Sequence, residues 1–248
     1  MMPKTFCIGL SRTGTTTFNA VMTGLGFLSR QGPGSLGLKL YELGRFDDIC
    51  AIVDHYDCLC DLPYPLLYER LAERYPDSRF VLTTRRSEDQ WLQSLRKLNL
   101  RNGPTEAFRI AYGCYDVDGN ENRLRDFYLR HNEAAREFFR DSGRFAEVCW
   151  EQGDGLNELG ELLGVNISGA SVPVANASAD KDSRKILERH CRKGRLGAAV
   201  RYARSVEGTD ELLALVNRRL DRELGRFLAV ARPKAALRRL RLRGRQLR

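Results

Sequence analysis

The sequence predicts an α/β fold in which helices flank a central parallel sheet, followed by a basic helical C-terminal extension. Three observations lead to it. Short apolar runs at 6–8, 58–60, 79–84 and 144–150 each precede a stretch with helical periodicity, the alternation that builds parallel sheets. The first run opens into a loop bearing Gly9 and Gly14 before its helix begins. Charge is segregated: residues 181–248 hold 21 Lys+Arg against 7 Asp+Glu, a net of +14, and residues 1–180 hold 20 against 25, a net of −5, which together give the chain's +9. The shift falls near 176–182, so domains are expected over 1–178 and 179–248.

Phe6, Cys7 and Ile8 read as a short buried strand. Residues 15–23 read as a helix, with Phe18, Val21, Met22 and Leu25 at spacings of three and four on one face. Strand, glycine loop and helix together aim free backbone N–H groups and the positive end of a helix dipole at one point, which attracts an anion, most often a phosphate. The hydroxyls of Ser11, Thr13, Thr15, Thr16 and Thr17 add donors, and Arg12 adds a fixed positive charge. The spacing Gly9-x-x-x-x-Gly14 matches the start of a P-loop, and the expected architecture is a P-loop-type three-layer domain. The continuation differs, because a nucleoside-triphosphatase loop places Lys next and this chain has Thr15. Without that lysine a triphosphate forfeits a charge-assisted contact at the group being transferred. The loop suits a phosphate-like group and not ordinary ATP chemistry.

Ser11-Arg12-Thr13-Gly14-Thr15-Thr16 resembles the 5′-phosphosulfate loop of sulfotransferases that use 3′-phosphoadenosine 5′-phosphosulfate (PAPS), in which Lys or Arg precedes Ser/Thr-Gly-Thr/Ser-Thr/Ser. A second match lies further on. Residues 79–84 read as a central strand, apolar and β-branched, and Ser87 with Glu88 and Asp89 reads as the capped start of a helix from 88 to about 98. Trp91 and Leu95 form its buried stripe, and Ser94 falls near its middle. Arg86 at the strand end and Ser94 eight residues later are placed to converge on one anion. The run Leu82-Thr-Thr-Arg-Arg86 with Trp91 and Ser94 is similar to a bacterial-type branch of the same family, where such an Arg and Ser hold the 3′-phosphate of PAPS. The resemblance covers about 4–176.

The remaining elements follow in order. Residues 29–48 read as a turn-rich loop with no regular period, either bordering an acceptor site or connecting. A strand through 58–60 ends in Asp61, and Pro65 opens a helix reaching Tyr75. Residues 101–120 read as loops around a short apolar segment, and Asp116-x-Asp118-x-Asn120 as a turn, since it lacks the rest of a calcium loop. A helix is expected over 122–139, a strand over 144–150, and a helix over 156–163 closed by Gly164. Beyond lie helices expected over 182–204 and 209–231, then a tail, 237–248, of arginines interspersed with leucines.

The resemblance implies an enzyme that moves a sulfuryl group from PAPS to a hydroxyl or amine of an unidentified acceptor, a carbohydrate or lipid among the options, with no metal. It implies that Arg12 stabilises the bridging oxygen, that the loop from Ser11 to Thr17 holds the 5′-phosphate, and that Arg86 and Ser94 hold the 3′-phosphate. Sulfuryl transfer also needs a base for the acceptor hydroxyl. Asp61 is the choice, with His55 and His131 behind it; an N-cap or salt-bridge role is the structural alternative for Asp61. Two other classes stay open: a P-loop kinase acting on a small metabolite, and a non-catalytic adaptor that keeps the nucleotide fold and acts through its basic C-terminus.

Seven scattered cysteines, odd in number, argue for buried thiols in a reducing compartment, and Cys58-x-Cys60 lacks the spacing of a zinc pair. No run approaches the roughly 18 apolar residues of a membrane span, and no signal pattern opens the chain, so a cytoplasmic protein is expected. The basic tail suits an anionic membrane or an acidic partner, and nucleic acid is not the expected ligand.

Overall fold

A computed structural model of the chain describes residues 3–153 and 155–167, with single positions at 186, 189, 190, 193 and 202. Five strands form one parallel sheet: β1 (Thr5–Cys7), β2 (Ser29–Gln31), β3 (Cys58–Cys60), β4 (Arg79–Thr83) and β5 (Phe145–Val148), in the order β2-β3-β1-β4-β5. The strands are three to five residues long, and the central three, β3, β1 and β4, are buried almost throughout, as inner strands of a parallel sheet covered on both faces are. Side chains alternate between two cores with the two-residue period of a strand. Phe6, Ile8, Leu59, Phe80 and Leu82 face a core with α3 (Phe46–Val53), α4 (Tyr68–Arg74) and α7 (Glu121–Phe139). Cys7, Cys58, Cys60 and Val81 face the other, with α1 (Thr15–Gly24) and α8 (Gly155–Leu163). Helix, sheet, helix is the three-layer arrangement that the sequence predicts.

Beside Leu10 and Leu62, at the carboxyl ends of the strands, a third core joins α5 (Glu88–Asn102) and α6 (Glu106–Tyr112) around Trp91, Leu95, Phe108, Tyr112 and Tyr128. The chain leaves β1 toward β2 and β3 on one side and leaves β4 toward β5 on the other. The crevice at this reversal, outside the carboxyl ends of β1 and β4, is where open parallel sheets take ligands.

Several expectations are corrected. Residues 29–48 are not an irregular loop: they hold β2, α2 (Ser35–Glu42) and the start of α3. β2 is an edge strand of three polar residues, so it carries no apolar signal. α2 hides its period because one inward position is Gly37, where a Cβ would meet Pro33 Cγ at 2.5 Å and Pro63 Cδ at 2.7 Å. Pro65 sits in a separate 3₁₀ turn, Tyr64–Leu66, ahead of the shorter α4. The apolar segment between 101 and 120 is α6, capped by Thr105, whose hydroxyl accepts from the Phe108 N–H at 3.1 Å. β5 stops at Val148, and Trp150, expected to end the strand, instead opens a 3₁₀ turn, Trp150–Gln152.

Contacts group residues 100–103 with 181–248 as a second unit. Within it His190 Nε2 donates to the Leu100 carbonyl at 2.7 Å. The helices expected over 182–204 and 209–231 and the tail 237–248 lie outside the described residues, apart from the single positions above. Among the described residues no helix is long and apolar enough to cross a membrane.

Candidate active site

The loop after β1 divides its residues by exposure. Ser11, Thr13, Thr15 and Thr17 are buried, whereas Arg12, Gly14 and Thr16 reach solvent. Thr13 acts as a clip: its hydroxyl donates to the Leu10 carbonyl at 2.7 Å and lies 2.7 Å from the Thr83 hydroxyl on β4. Gly9 is required by the same close approach, since a Cβ there would stand 2.0 Å from Thr83 Oγ1 and 2.3 Å from Thr83 O. Gly14 caps α1 with φ 96°, and a Cβ on it would meet the Trp150 ring at 2.3 Å. No side chain caps α1, and its first turn holds no acidic residue. The N–H groups of that turn have no partner within the helix, so they suit an anion, with the Thr16 hydroxyl beside them.

Arg12 leads away from this loop toward β4 and α5. Its Nε donates to Ser94 Oγ at 3.0 Å, so residues 82 positions apart meet directly. Arg85 Nε donates to the Arg12 carbonyl at 2.7 Å, and Trp91 Nε1 donates to the Ser11 carbonyl at 3.0 Å. Arg85 also pairs with the Glu151 carboxylate, and the Arg86 N–H donates to the same carboxylate at 3.3 Å. The Arg86 guanidinium donates to the Glu151 carbonyl, while Ser94 is engaged by Arg12. Arg86 and Ser94 therefore share no protein partner in these hydrogen bonds.

Asp61 ends β3 on the other side of β1. Its Oδ1 accepts from the Ser11 hydroxyl at 2.5 Å and from the Leu62 N–H at 2.9 Å, and its Oδ2 from Gln31 Nε2 at 3.4 Å. Gln31 Nε2 also donates to Thr16 Oγ1 at 3.0 Å. Among the described residues only Arg12, at φ 80°, and Asp61, at φ 69°, adopt a left-handed backbone without being glycine. Such a conformation costs about 1–3 kcal/mol and gathers at functional sites, where surrounding contacts hold it. The hydrogen bonds from Arg85 and to Asp61 Oδ1, each worth about 1 kcal/mol net, are of the size needed to offset it.

His55 and His131 are placed differently. His55 is exposed and precedes β3, at the amino ends of the strands, away from the loop. His131 Nε2 lies 2.8 Å from the Ile8 carbonyl, and because a carbonyl only accepts, that nitrogen carries the proton. Burial pushes the His131 pKa down, which keeps the ring neutral. Tyr64 and Tyr112 are core, and Tyr115 is exposed with its hydroxyl on Glu106. Burial raises the thiols of Cys7 and Cys58 to about 12, so both stay protonated. Among the described residues no three His, Cys, Asp or Glu side chains are grouped to hold a metal. Sequence reasoning missed Gln31, Arg85, Trp150 and Glu151. Arg85 adjoins the chosen Arg86, and nothing local separates the two, while Gln31 and Glu151 stand on short polar segments with no periodic signal.

A family model described as a sulfotransferase domain matches residues 4–181. Among solved structures, a sulfotransferase from Alicyclobacillus acidocaldarius aligns with a TM-score of 0.45 at 16% identity, covering 82% of this chain and 94% of its own. No curated protein matches the chain.

Proposed function

The chain belongs to the sulfotransferase domain family, and from that premise we propose that it transfers a sulfuryl group from PAPS to the hydroxyl or amine of a small-molecule, glycan or lipid acceptor. The observation that carries the reading is the Arg12–Ser94 hydrogen bond, which joins the loop after β1 to the helix after β4. Two anion-binding segments so joined suit one nucleotide bearing phosphates at both its 5′ and 3′ positions. The donor set fits it: uncapped N–H groups of the first α1 turn, the Thr16 hydroxyl, and the guanidinium groups of Arg12 and Arg86.

Bound PAPS supplies an activated sulfuryl group on a phosphate leaving group. Gly14, Thr15 and Thr16, with Ser11, Thr13 and Thr17 shaping the loop from beneath, hold the 5′-phosphate end. Arg86 and Ser94 hold the 3′-phosphate. Arg12 stabilises charge on the oxygen that keeps the electron pair as its bond to sulfur breaks. Asp61 takes the proton of the acceptor hydroxyl as the acceptor oxygen bonds to sulfur. Residues 1–178 constitute the catalytic unit in this reading. Residues 179–248 form a basic extension suited to an anionic membrane or an acidic partner.

Transfer of labelled sulfate from PAPS into a cell extract, followed by fractionation, tests the reading and identifies the acceptor class. Asp61→Asn is expected to lower turnover by about 10²–10⁴-fold, the range of a general base, while leaving the affinity for adenosine 3′,5′-bisphosphate unchanged. Wild-type turnover in that variant removes Asp61 from the chemistry.

A further inference from the structure

We propose that Gln31 is a positioning residue for Asp61, holding Oδ2 as the oxygen that receives the acceptor's proton and keeping it in register with the first turn of α1. The inference rests on the reading of Asp61 as the base and deepens it.

A carboxylate oxygen offers two lone-pair directions. At Oδ1 both are taken, by the Ser11 hydroxyl at 2.5 Å and the Leu62 N–H at 2.9 Å. Oδ2 meets Gln31 Nε2 across a long 3.4 Å, which leaves it the oxygen open to a further donor. The two halves of the carboxylate therefore differ in role: Oδ1 is the anchor and Oδ2 the acceptor. The amide nitrogen of Gln31 carries two hydrogens. One goes to Thr16 Oγ1 at 3.0 Å and the other faces Asp61 Oδ2. One planar amide thus spans the gap between the anion-binding turn and the base.

The Thr16 oxygen accepts from Gln31 and keeps its own hydroxyl hydrogen for an anion in front of the turn, a donor it retains when Gln31 is replaced. In the transfer step the acceptor oxygen forms its bond to sulfur as the bond from sulfur to the bisphosphate oxygen breaks. The electron pair stays with that oxygen, and the acceptor's proton goes to Asp61 Oδ2. Misplacing a reacting group by about 1 Å costs roughly 10²-fold, so a bridge between the two halves of the site affects rate more than binding. Gln31 ends the edge strand and is exposed, so its substitution leaves the core packing unaltered.

The test compares Gln31→Met, which removes both N–H donors at similar length, with Gln31→Glu, which keeps the shape and faces Asp61 with a like charge. Both are measured alone and on an Asp61→Asn background. The readouts are kcat and KM for labelled PAPS, with sulfate release to water and to a panel of phenols and sugars, and calorimetric affinity for adenosine 3′,5′-bisphosphate. The expected result is a fall in kcat of about tenfold for Gln31→Met and a larger fall for Gln31→Glu. KM for PAPS and bisphosphate affinity should stay within about threefold of wild type, since a positioning contact acts on rate. On the Asp61→Asn background the Met substitution should add almost nothing, because residues acting through one another are not additive. Unchanged kcat in both single variants, or an undiminished effect on the Asn background, overturns the inference and leaves the sulfotransferase reading standing. A wild-type protein that binds the bisphosphate and sulfates neither water nor any acceptor overturns both.

Discussion

At the scale of single residues, the two left-handed positions explain why the site is where it is. Arg12 and Asp61 hold backbone conformations that favour glycine, and each is fixed by hydrogen bonds from a different strand end. Replacing Arg12 with glycine should relieve the strain while removing the guanidinium. Arg12→Gly is therefore expected to fold with equal or higher melting temperature and to lose nearly all transfer, measured by thermal denaturation alongside labelled PAPS turnover. Ser94 is expected to matter both as a 3′-phosphate donor and through Arg12: Ser94→Ala removes the hydroxyl and with it the acceptor of the 3.0 Å bond from Arg12 Nε. It should weaken bisphosphate binding by about tenfold, the size of one hydrogen bond to a charged group, and calorimetry reads the loss. His131 acts on stability and not on chemistry in this account. Its folded pKa is pushed below the ordinary value of 6.5 by burial, so below that pH the unfolded chain binds the extra proton. Stability supported by neutral His131 is accordingly present above the unfolded value and declines as pH falls through and below it. His131→Gln, which keeps an N–H for the Ile8 carbonyl, should flatten the fall in melting temperature between pH 7 and pH 5 relative to wild type.

Elements set how those residues meet. β1 and β4 lie so close at their carboxyl ends that Gly9 admits no side chain, and the obstacle includes the Thr83 carbonyl, which no rotamer change removes. Gly9→Ala should cost about 1–3 kcal/mol, the usual penalty of overpacking, seen as a melting temperature several degrees lower. This approach could be read from the sequence only in part. The strand–glycine–helix order predicts the loop and its anion preference, because the glycine spacing and the helix period are local signals. The partners of that loop are not local. Trp150 against Gly14 and Glu151 on Arg85 come from the turn after β5, and Gln31 between Thr16 and Asp61 from the end of β2, two strand ends brought together by the sheet order. β2 escaped notice because three polar residues at an edge carry no apolar alternation, and α2 because Gly37 interrupts its buried face.

For the molecule as a whole, the sheet order reverses between β1 and β4, and the hydrogen bonds of Arg12 with Ser94 and of Arg85 with Arg12 tie together the segments that leave those two strands. The net charge of residues 1–180 is −5, so attraction of an anionic nucleotide depends on these few cations and not on the overall field. Bisphosphate affinity should fall with added salt by no more than the few contacts involved. The central claim is that the Arg86 and Arg12 segments hold opposite ends of one nucleotide. The most direct measurement is the affinity ratio between adenosine 3′,5′-bisphosphate and adenosine 5′-monophosphate, taken for wild type and for Arg86→Ala. The account predicts a wild-type preference for the bisphosphate of about tenfold or more, the worth of a charge-assisted contact, that collapses toward unity in Arg86→Ala while monophosphate affinity holds. A ratio that survives the substitution unchanged would contradict it.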